Sequence, residues 1–393
     1  MSSNWVDGRG QAESPPLGMR PMVHNPALTP PEQLVAQFVV RHEAFEEVMR
    51  VIRDNHGPSL QHLLVLGGRG FGKSTLAFRV IAEIQRDDTL SKLWLPLPFA
   101  EESYQIGDIG EFWLEALWRL ADATGLARWH DLHGRLRAER DPVRLESAAR
   151  AAIAEHATAV GRRVLLVVEN LDLVLANLSE QDGWALRRTL QSDERFMLLA
   201  TALRPFEGVT EYNQPFYEML RQIRLEALEA EELRLVWRMA SGVDPGPRRA
   251  QAIRVLSGGN PRLAVLLARF ATGRSVPQMI EGLNLLVDEH TDYFKSNIEA
   301  MDGQNRRVFL ALATLWAPAT SSEVADEARL PVNVVSAVLG RLERIGRIEV
   351  VGKPGKNKRY QVAERLYNIY YLMRRRQGMD ARLRAVLDFL VAF

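Results

Sequence analysis

The run Leu63-Leu64-Val65-Leu66-Gly67-Gly68-Arg69-Gly70-Phe71-Gly72-Lys73-Ser74-Thr75 joins an apolar strand to a helical stretch through a glycine-rich turn. From Gly67 to Ser74 it spells G-x-x-x-x-G-K-[ST], and the helical pattern Leu76 to Ile84 follows. Glycines let a backbone wrap closely around an anion, and the N–H groups at a helix start carry partial positive charge. In that setting Lys73 reaches the β- and γ-phosphates of a nucleoside triphosphate, and Ser74 holds Mg2+ through its hydroxyl. The candidate nucleotide-binding residues are therefore Gly67, Gly68, Arg69, Gly70, Phe71, Gly72, Lys73, Ser74 and Thr75.

Hydrolysis at such a loop needs a carboxylate at the end of a neighbouring strand. The apolar run Arg163 to Val168 ends in Glu169-Asn170-Leu171-Asp172. Glu169 reads as the magnesium-side carboxylate, acting through water, and Asp172 as the water-orienting group. Asn170 stands where a second acid is usual, which points to slow turnover or to nucleotide binding as a switch. Other constellations are weaker. His130 and His133 have metal-ligand spacing, but with no Cys in the chain and only Asp131 nearby they read as a surface pair. Arg221 is either a salt-bridged surface arginine or a trans-acting arginine finger.

These residues need a scaffold, and the pattern supplies one. Strand candidates at Lys92–Leu97, Arg163–Val168 and Phe196–Thr201 alternate with helical stretches at Gly110–Thr124 and Val143–Ala159. That alternation implies an α/β domain with a parallel sheet covered on both faces. One helical period runs from Glu32 to Ile52. From about Ala230 the apolar spacing becomes helical throughout. A third unit follows: helices at Gln304–Thr314, Val324–Ala328 and Val332–Ile345, then strands Arg347–Val351 and Arg359–Val362. This is a helix-turn-helix with a hairpin wing, a winged helix. It can place Asn333, Ser336, Arg341 and Arg344 in a DNA groove and Lys353, Lys356, Lys358 and Arg359 on phosphates, or it can serve packing and oligomerisation instead.

The 393 residues are 47% hydrophobic, enough for two or three cores, and the net charge of +1 announces neither nucleic acid nor membrane. Absence of Cys excludes disulfides, thiolate metal sites and cysteine catalysis. No apolar run is long enough for a membrane span and the start lacks a signal-peptide core, so the expected location is cytoplasmic. The expected division is a flexible tail at 1–31, a P-loop α/β domain at 32–229, a small helical domain at 230–300, a winged helix at 301–376 and the start of a further helical region at 377–393. The apolar end Leu387 to Phe393 is expected to continue in a longer chain or to dock on a partner.

Taken together, the motifs and their order resemble the AAA+/STAND division of P-loop ATPases, nearest its archaeal-type and origin-initiator-like branches, over about residues 38–375. Phe38-Val39-Val40-Arg41-His42-Glu43 looks like that family's leading segment, which implies an adenine pocket lined by the aromatic ring and Arg41; Val40 replaces the usual Gly. The resemblance implies Thr201 near the γ-phosphate, with Arg204 following. Gly258-Gly259-Asn260-Pro261-Arg262 resembles the lid element, which implies a P-loop ATPase domain at 32–229 followed by a helical lid at 230–300, with nucleotide contact by Pro261 and Arg262. The implied catalytic set is Lys73, Glu169, Asp172, Thr201 and Arg204, with Ser74 and Glu169 on Mg2+. The implied function is an ATP-binding switch that cycles between ATP and ADP and assembles with itself or partners. The alternative is a DNA-handling ATPase (an initiator, a loader, or a mobile-element or defence helper) that grips duplex DNA.

Overall fold

The computed structural model describes residues 26–99, 105–271, 291–315, 317–351, 358–363, 367–368 and 370–371. Contacts divide the chain into two compact units, one spanning Pro26–Leu228 and one that resumes at Glu229.

The first unit opens with a 3-10 turn, Pro26–Leu28, then α1 (Pro31–Gln37) and α2 (His42–Asp54). The single helix expected from Glu32 to Ile52 is thus broken, because Arg41 takes a left-handed φ of 72° just ahead of α2. There follow β1 (His62–Leu66), α3 (Lys73–Arg86), α4 (Leu90–Leu93), β2 (Trp94–Pro98), α5 (Ile109–Thr124), α6 (Ala127–Leu136) and α7 (Pro142–Val160). Next come β3 (Arg163–Val168), α8 (Leu171–Asn177), α9 (Glu180–Ser192), β4 (Phe196–Ala202), α10 (Glu207–Thr210) and β5 (Leu220–Arg224). Lys92 and Leu93 fall in α4 rather than in the strand expected to include them.

The strands form one parallel sheet in the order β2-β3-β4-β1-β5. Its central strands alternate between two cores. Leu64, Leu66, Val164, Leu166, Val168, Phe196 and Leu198 pack with Phe112 and Trp113 of α5. Leu63, Val65, Leu165, Val167, Met197 and Leu199 pack with Val48 and Ile52 of α2 and Leu76 and Val80 of α3. Two buried faces explain why these strands read as unbroken apolar runs. The order also does something for function. It sets β4 between β1, which carries the glycine-rich turn, and β3, which carries the acidic turn.

The second unit is helical at first, with α11 (Ala230–Ser241), α12 (Gly246–Ser257) and α13 (Pro261–Ala271). It continues with α14 (Thr291–Glu299), α15 (Gly303–Leu315), α16 (Ser321–Ala328) and α17 (Val332–Arg344). The antiparallel pair β6 (Ile348–Val351) and β7 (Arg359–Val362) follows, and Ala319 bridges to Tyr360 beside it. Thr320 and Glu323 form a reciprocal capping box that fixes the start of α16, as their spacing predicts. Three helices, α15, α16 and α17, thus lead into the antiparallel pair β6-β7.

Among the polar side chains buried in the first unit, one sits at the start of β1. His62 is buried on β1; its Nδ1 accepts the Leu198 N–H at 3.1 Å and its Nε2–H donates to the Leu190 carbonyl at 3.1 Å. Both nitrogens are used by the neutral ring, and burial lowers its pKa from 6.5 to about 4. The folded state therefore excludes a proton that the unfolded chain binds. Stability is complete above pH 6.5 and falls as pH drops toward 4. Between pH 7.5 and 5 the native chain is expected to lose about 2 kcal/mol through this residue. Urea denaturation at the two pH values, with His62→Gln as reference, measures it; equal pH dependence in both proteins contradicts the assignment.

Candidate functional site

The glycine-rich turn follows β1 directly. Gly67 N–H donates to the Ala202 carbonyl at 3.3 Å, so the turn begins while still paired to β4. A Cβ on Gly67 would sit 3.2 Å from Leu225 Cβ and 3.3 Å from its carbonyl oxygen, leaving little room for a side chain. Gly70 and Gly72 take φ of 83° and 91°, left-handed values that favour glycine. Gly72 then caps α3 without a side-chain acceptor, and no acid occupies the first turn of the helix. The amides at that end are left to an anion. Phe71 lays its ring against Gly68, and Arg69 is exposed on the turn.

Lys73 is buried, and its ammonium donates to the carbonyls of Gly67 at 2.8 Å and Gly68 at 3.2 Å. The next residue, Ser74, donates its hydroxyl to the Glu169 carboxylate. Glu169 is 6% exposed at the end of β3. Thr75 is half-buried on the same turn of α3. The glycine-rich turn and the acidic turn therefore meet in space, although 95 residues separate Ser74 from Glu169.

The acidic turn has a conformation that the sequence did not disclose. Asn170 is left-handed, with φ 52° and ψ 49°, and its N–H donates to Thr201 Oγ1 at 3.1 Å. Thr201 is fully buried on β4. Its hydroxyl oxygen fastens the acidic turn, a contact that no spacing rule links to a residue 31 positions earlier. Asp172 follows in the first turn of α8. Burial raises its pKa, opposed by the backbone amides of Asp172 and Leu173 and by the charges of Lys73 and Arg204. Its buried Oδ1 has no hydrogen-bond partner among the described residues. Arg204 itself is exposed just past β4.

Other expected residues lie further out. Phe38 is buried against Phe45 and His42, with ring centroids 5.6 Å apart in each pair. The Arg41 guanidinium donates to the Glu226 carbonyl, tying the segment ahead of α2 to the chain leaving β5. Pro261 and Arg262 open α13 in the second unit, where Asn260 Oδ1 accepts the Arg262 and Leu263 amides at 3.0 and 3.3 Å. Arg221 pairs with Glu47 at 2.7 Å, the salt-bridged alternative of the two readings. His130 and His133 both pack on the Trp118 ring, at 5.3 and 5.0 Å between centroids. No group of three metal-ligating side chains occurs among the described residues.

In the second unit Arg341 and Arg344 are exposed on α17; Arg341 donates to Asn305 Oδ1 at 3.4 Å and Arg344 to the Gly340 carbonyl at 3.3 Å. Arg359 is held between the Pro318 carbonyl at 2.8 Å and Glu323 at 3.6 Å. Lys358 is exposed, while Lys353 and Lys356 lie outside the described residues. No described helix is long and apolar enough to cross a membrane.

No protein-family model matches the sequence, and no curated protein is similar to it. Among solved structures, a Walker-type ATPase of Pyrococcus abyssi matches with a TM-score of 0.54 at 14% identity, over 85% of this chain and 95% of that one. At that identity the likeness is one of fold. The fold is the P-loop NTPase fold. The ORC1 protein of Aeropyrum pernix, solved in complex with DNA, aligns over 92% of this chain and 97% of that one at 14% identity and a TM-score of 0.47. The Cdc6p protein of Pyrobaculum aerophilum aligns over 92% and 98% at 11% identity and a TM-score of 0.45. In this P-loop fold the glycine-rich turn after β1 and the carboxylate after β3 occupy the two strand ends flanking β4.

Proposed function

We propose that the chain is an ATP-binding switch that hydrolyses ATP slowly. The observation that carries this reading is the convergence of Lys73, Ser74 and Glu169 on one uncapped helix start. The amides of Gly67 to Thr75 hold the triphosphate. Lys73 exchanges the carbonyls of Gly67 and Gly68 for phosphate oxygens, a trade of neutral acceptors for charged ones. The donor set suits Mg2+, because a hydroxyl and a carboxylate, both hard oxygen ligands, already touch. Ser74 would hold the ion and Glu169 would act on it through water. When bound, the ion neutralises charge on the β- and γ-phosphates.

Asp172 orients the attacking water, and its raised pKa suits a group that shares a proton with water. Asn170 accepts no proton, which leaves one carboxylate fewer for the chemistry and favours a long-lived ATP state. Arg204 sits beside Asp172 as a candidate charge for the developing phosphate. Residues 230–300 act as a lid that engages nucleotide through Pro261 and Arg262, and residues 301–376 form the output module. The ATP and ADP states differ in how these modules are held, and that difference drives assembly.

Lys73→Ala is expected to lower ATP affinity at least about tenfold while far-UV circular dichroism stays unchanged. Glu169→Gln is expected to cut turnover by about tenfold or more with affinity within about threefold. Isothermal titration and phosphate release measure both; unaltered affinity in the first variant contradicts the site.

A second reading, duplex DNA binding, is favoured by one face. The exposed residues of α17 are Val332, Asn333, Ser336, Ala337, Arg341 and Arg344, with no carboxylate among them. Such a face suits groove and phosphate contact. Arg341→Glu with Arg344→Glu is then expected to weaken duplex binding and to shallow the slope of log affinity against log salt by about two. Equal binding and equal slope count against DNA contact through α17.

A further inference from the structure

Behind the acidic turn lies a cavity of about 680 Å3, bounded by α8, the start of α9 and the chain from Arg204 to Phe216. Its volume lies in the range of ligand pockets. Two glycines permit its walls to close as they do. A Cβ on Gly183 would stand 2.9 Å from Pro215 Cγ, and one on Gly208 would stand 2.9 Å from the Phe206 ring. The walls are mixed: Leu175, Leu178, Phe206 and Phe216 supply apolar surface, and Ser179, Thr210 and Gln214 lie among the polar groups.

The charges in this cavity are unequal. Three carboxylates line it, Asp172, Glu180 and Glu207, against one guanidinium, Arg204. Glu180 and Glu207 are exposed and stand where the cavity meets solvent, whereas Asp172 is half-buried. The Asp172 carboxyl feels the backbone amides of Asp172 and Leu173 and the charges of Lys73 and Arg204, yet its buried Oδ1 has no hydrogen-bond partner among the described residues. Burial of a carboxylate without a full set of partners is costly, and a cation beside it removes that cost. An anion would meet a surplus of like charge.

We propose that this cavity binds an organic cation: a guanidinium or primary ammonium group carried on an apolar body. The charged head pairs with Asp172 and the rim carboxylates, and the body packs on Phe206 and Leu178. The ligand chemistry stands independently of the nucleotide site. Its consequence rests on the proposed ATPase reading: Asp172 faces both the cavity and the charge of Lys73, so occupancy changes the group that orients water. The cavity is then the place where a trigger acts on turnover.

The test is titration calorimetry of the full chain with agmatine and phenethylamine, alongside the neutral phenethyl alcohol and the anionic 3-phenylpropionate. The amines are expected to bind at least about tenfold tighter than the neutral and anionic analogues. Glu180→Gln with Glu207→Gln is expected to weaken the amines by about fivefold or more. An acetylated Leu-Arg-Leu amide forms a further arm. Tighter binding of that peptide than of the small amines assigns the cation to a partner's side chain; the reverse assigns it to a free metabolite. Equal binding of charged and neutral analogues overturns the proposal. So do absence of amine or peptide binding up to millimolar concentration and indifference to the double substitution. Lys73→Ala separates the two readings, because it weakens ATP binding at least about tenfold while removing no group that lines the cavity, so amine binding persists.

Discussion

The hydroxyl of Ser74 meets the carboxylate of Glu169 across a strand that belongs to neither of them. Parallel pairing makes this contact available. With β1 and β3 on either side of β4, their C-terminal ends lie two residues apart along it, Leu66 opposite Ala202 and Val168 opposite Ala200, and the turn after each projects from the same edge of the sheet. Lys73 and Ser74 come from the first turn and Glu169 and Asp172 from the second. A displacement of one residue in either pairing would exchange the two faces of a strand and bury the wrong set of side chains in each core. The chemistry is therefore held in register by the same apolar alternation that holds the sheet together.

Much of this was legible in the residues themselves. The glycine-rich turn announces its own conformation, because Gly70 and Gly72 adopt angles that other residues rarely reach. The strands β1, β3 and β4 were legible for a related reason. Burial on both faces leaves an unbroken apolar run, which few other structures require. Other features were hidden because they depend on partners distant in sequence. Nothing near Thr201 states that its hydroxyl takes the Asn170 amide, and nothing near Arg41 marks the left-handed turn that divides the first helix. The short helix at Leu90–Leu93 displaced a strand start because Pro96 and Pro98 were no guide to where pairing begins. Arg221 is another case: the sequence left two roles open, and only the position of Glu47 selects the ion pair.

The site combines over-determined parts with under-satisfied ones. The glycine-rich turn, Lys73 and Ser74 are tied by hydrogen bonds into a single conformation. The acidic turn is fastened by Thr201 at Asn170, yet two residues later Asp172 keeps a buried oxygen unpaired. Fully satisfied polar networks are rigid, and an unpaired buried polar atom is costly.

The claim on which this account rests is that the amides from Gly67 to Thr75 close on a triphosphate. Hydrogen–deuterium exchange over that segment, with and without Mg2+ and a non-hydrolysable ATP analogue, examines it directly. The account predicts slower exchange at the turn and at the start of α3 when nucleotide is present, with β2 at the far edge of the sheet unaffected. Identical exchange of the segment in both conditions would contradict it.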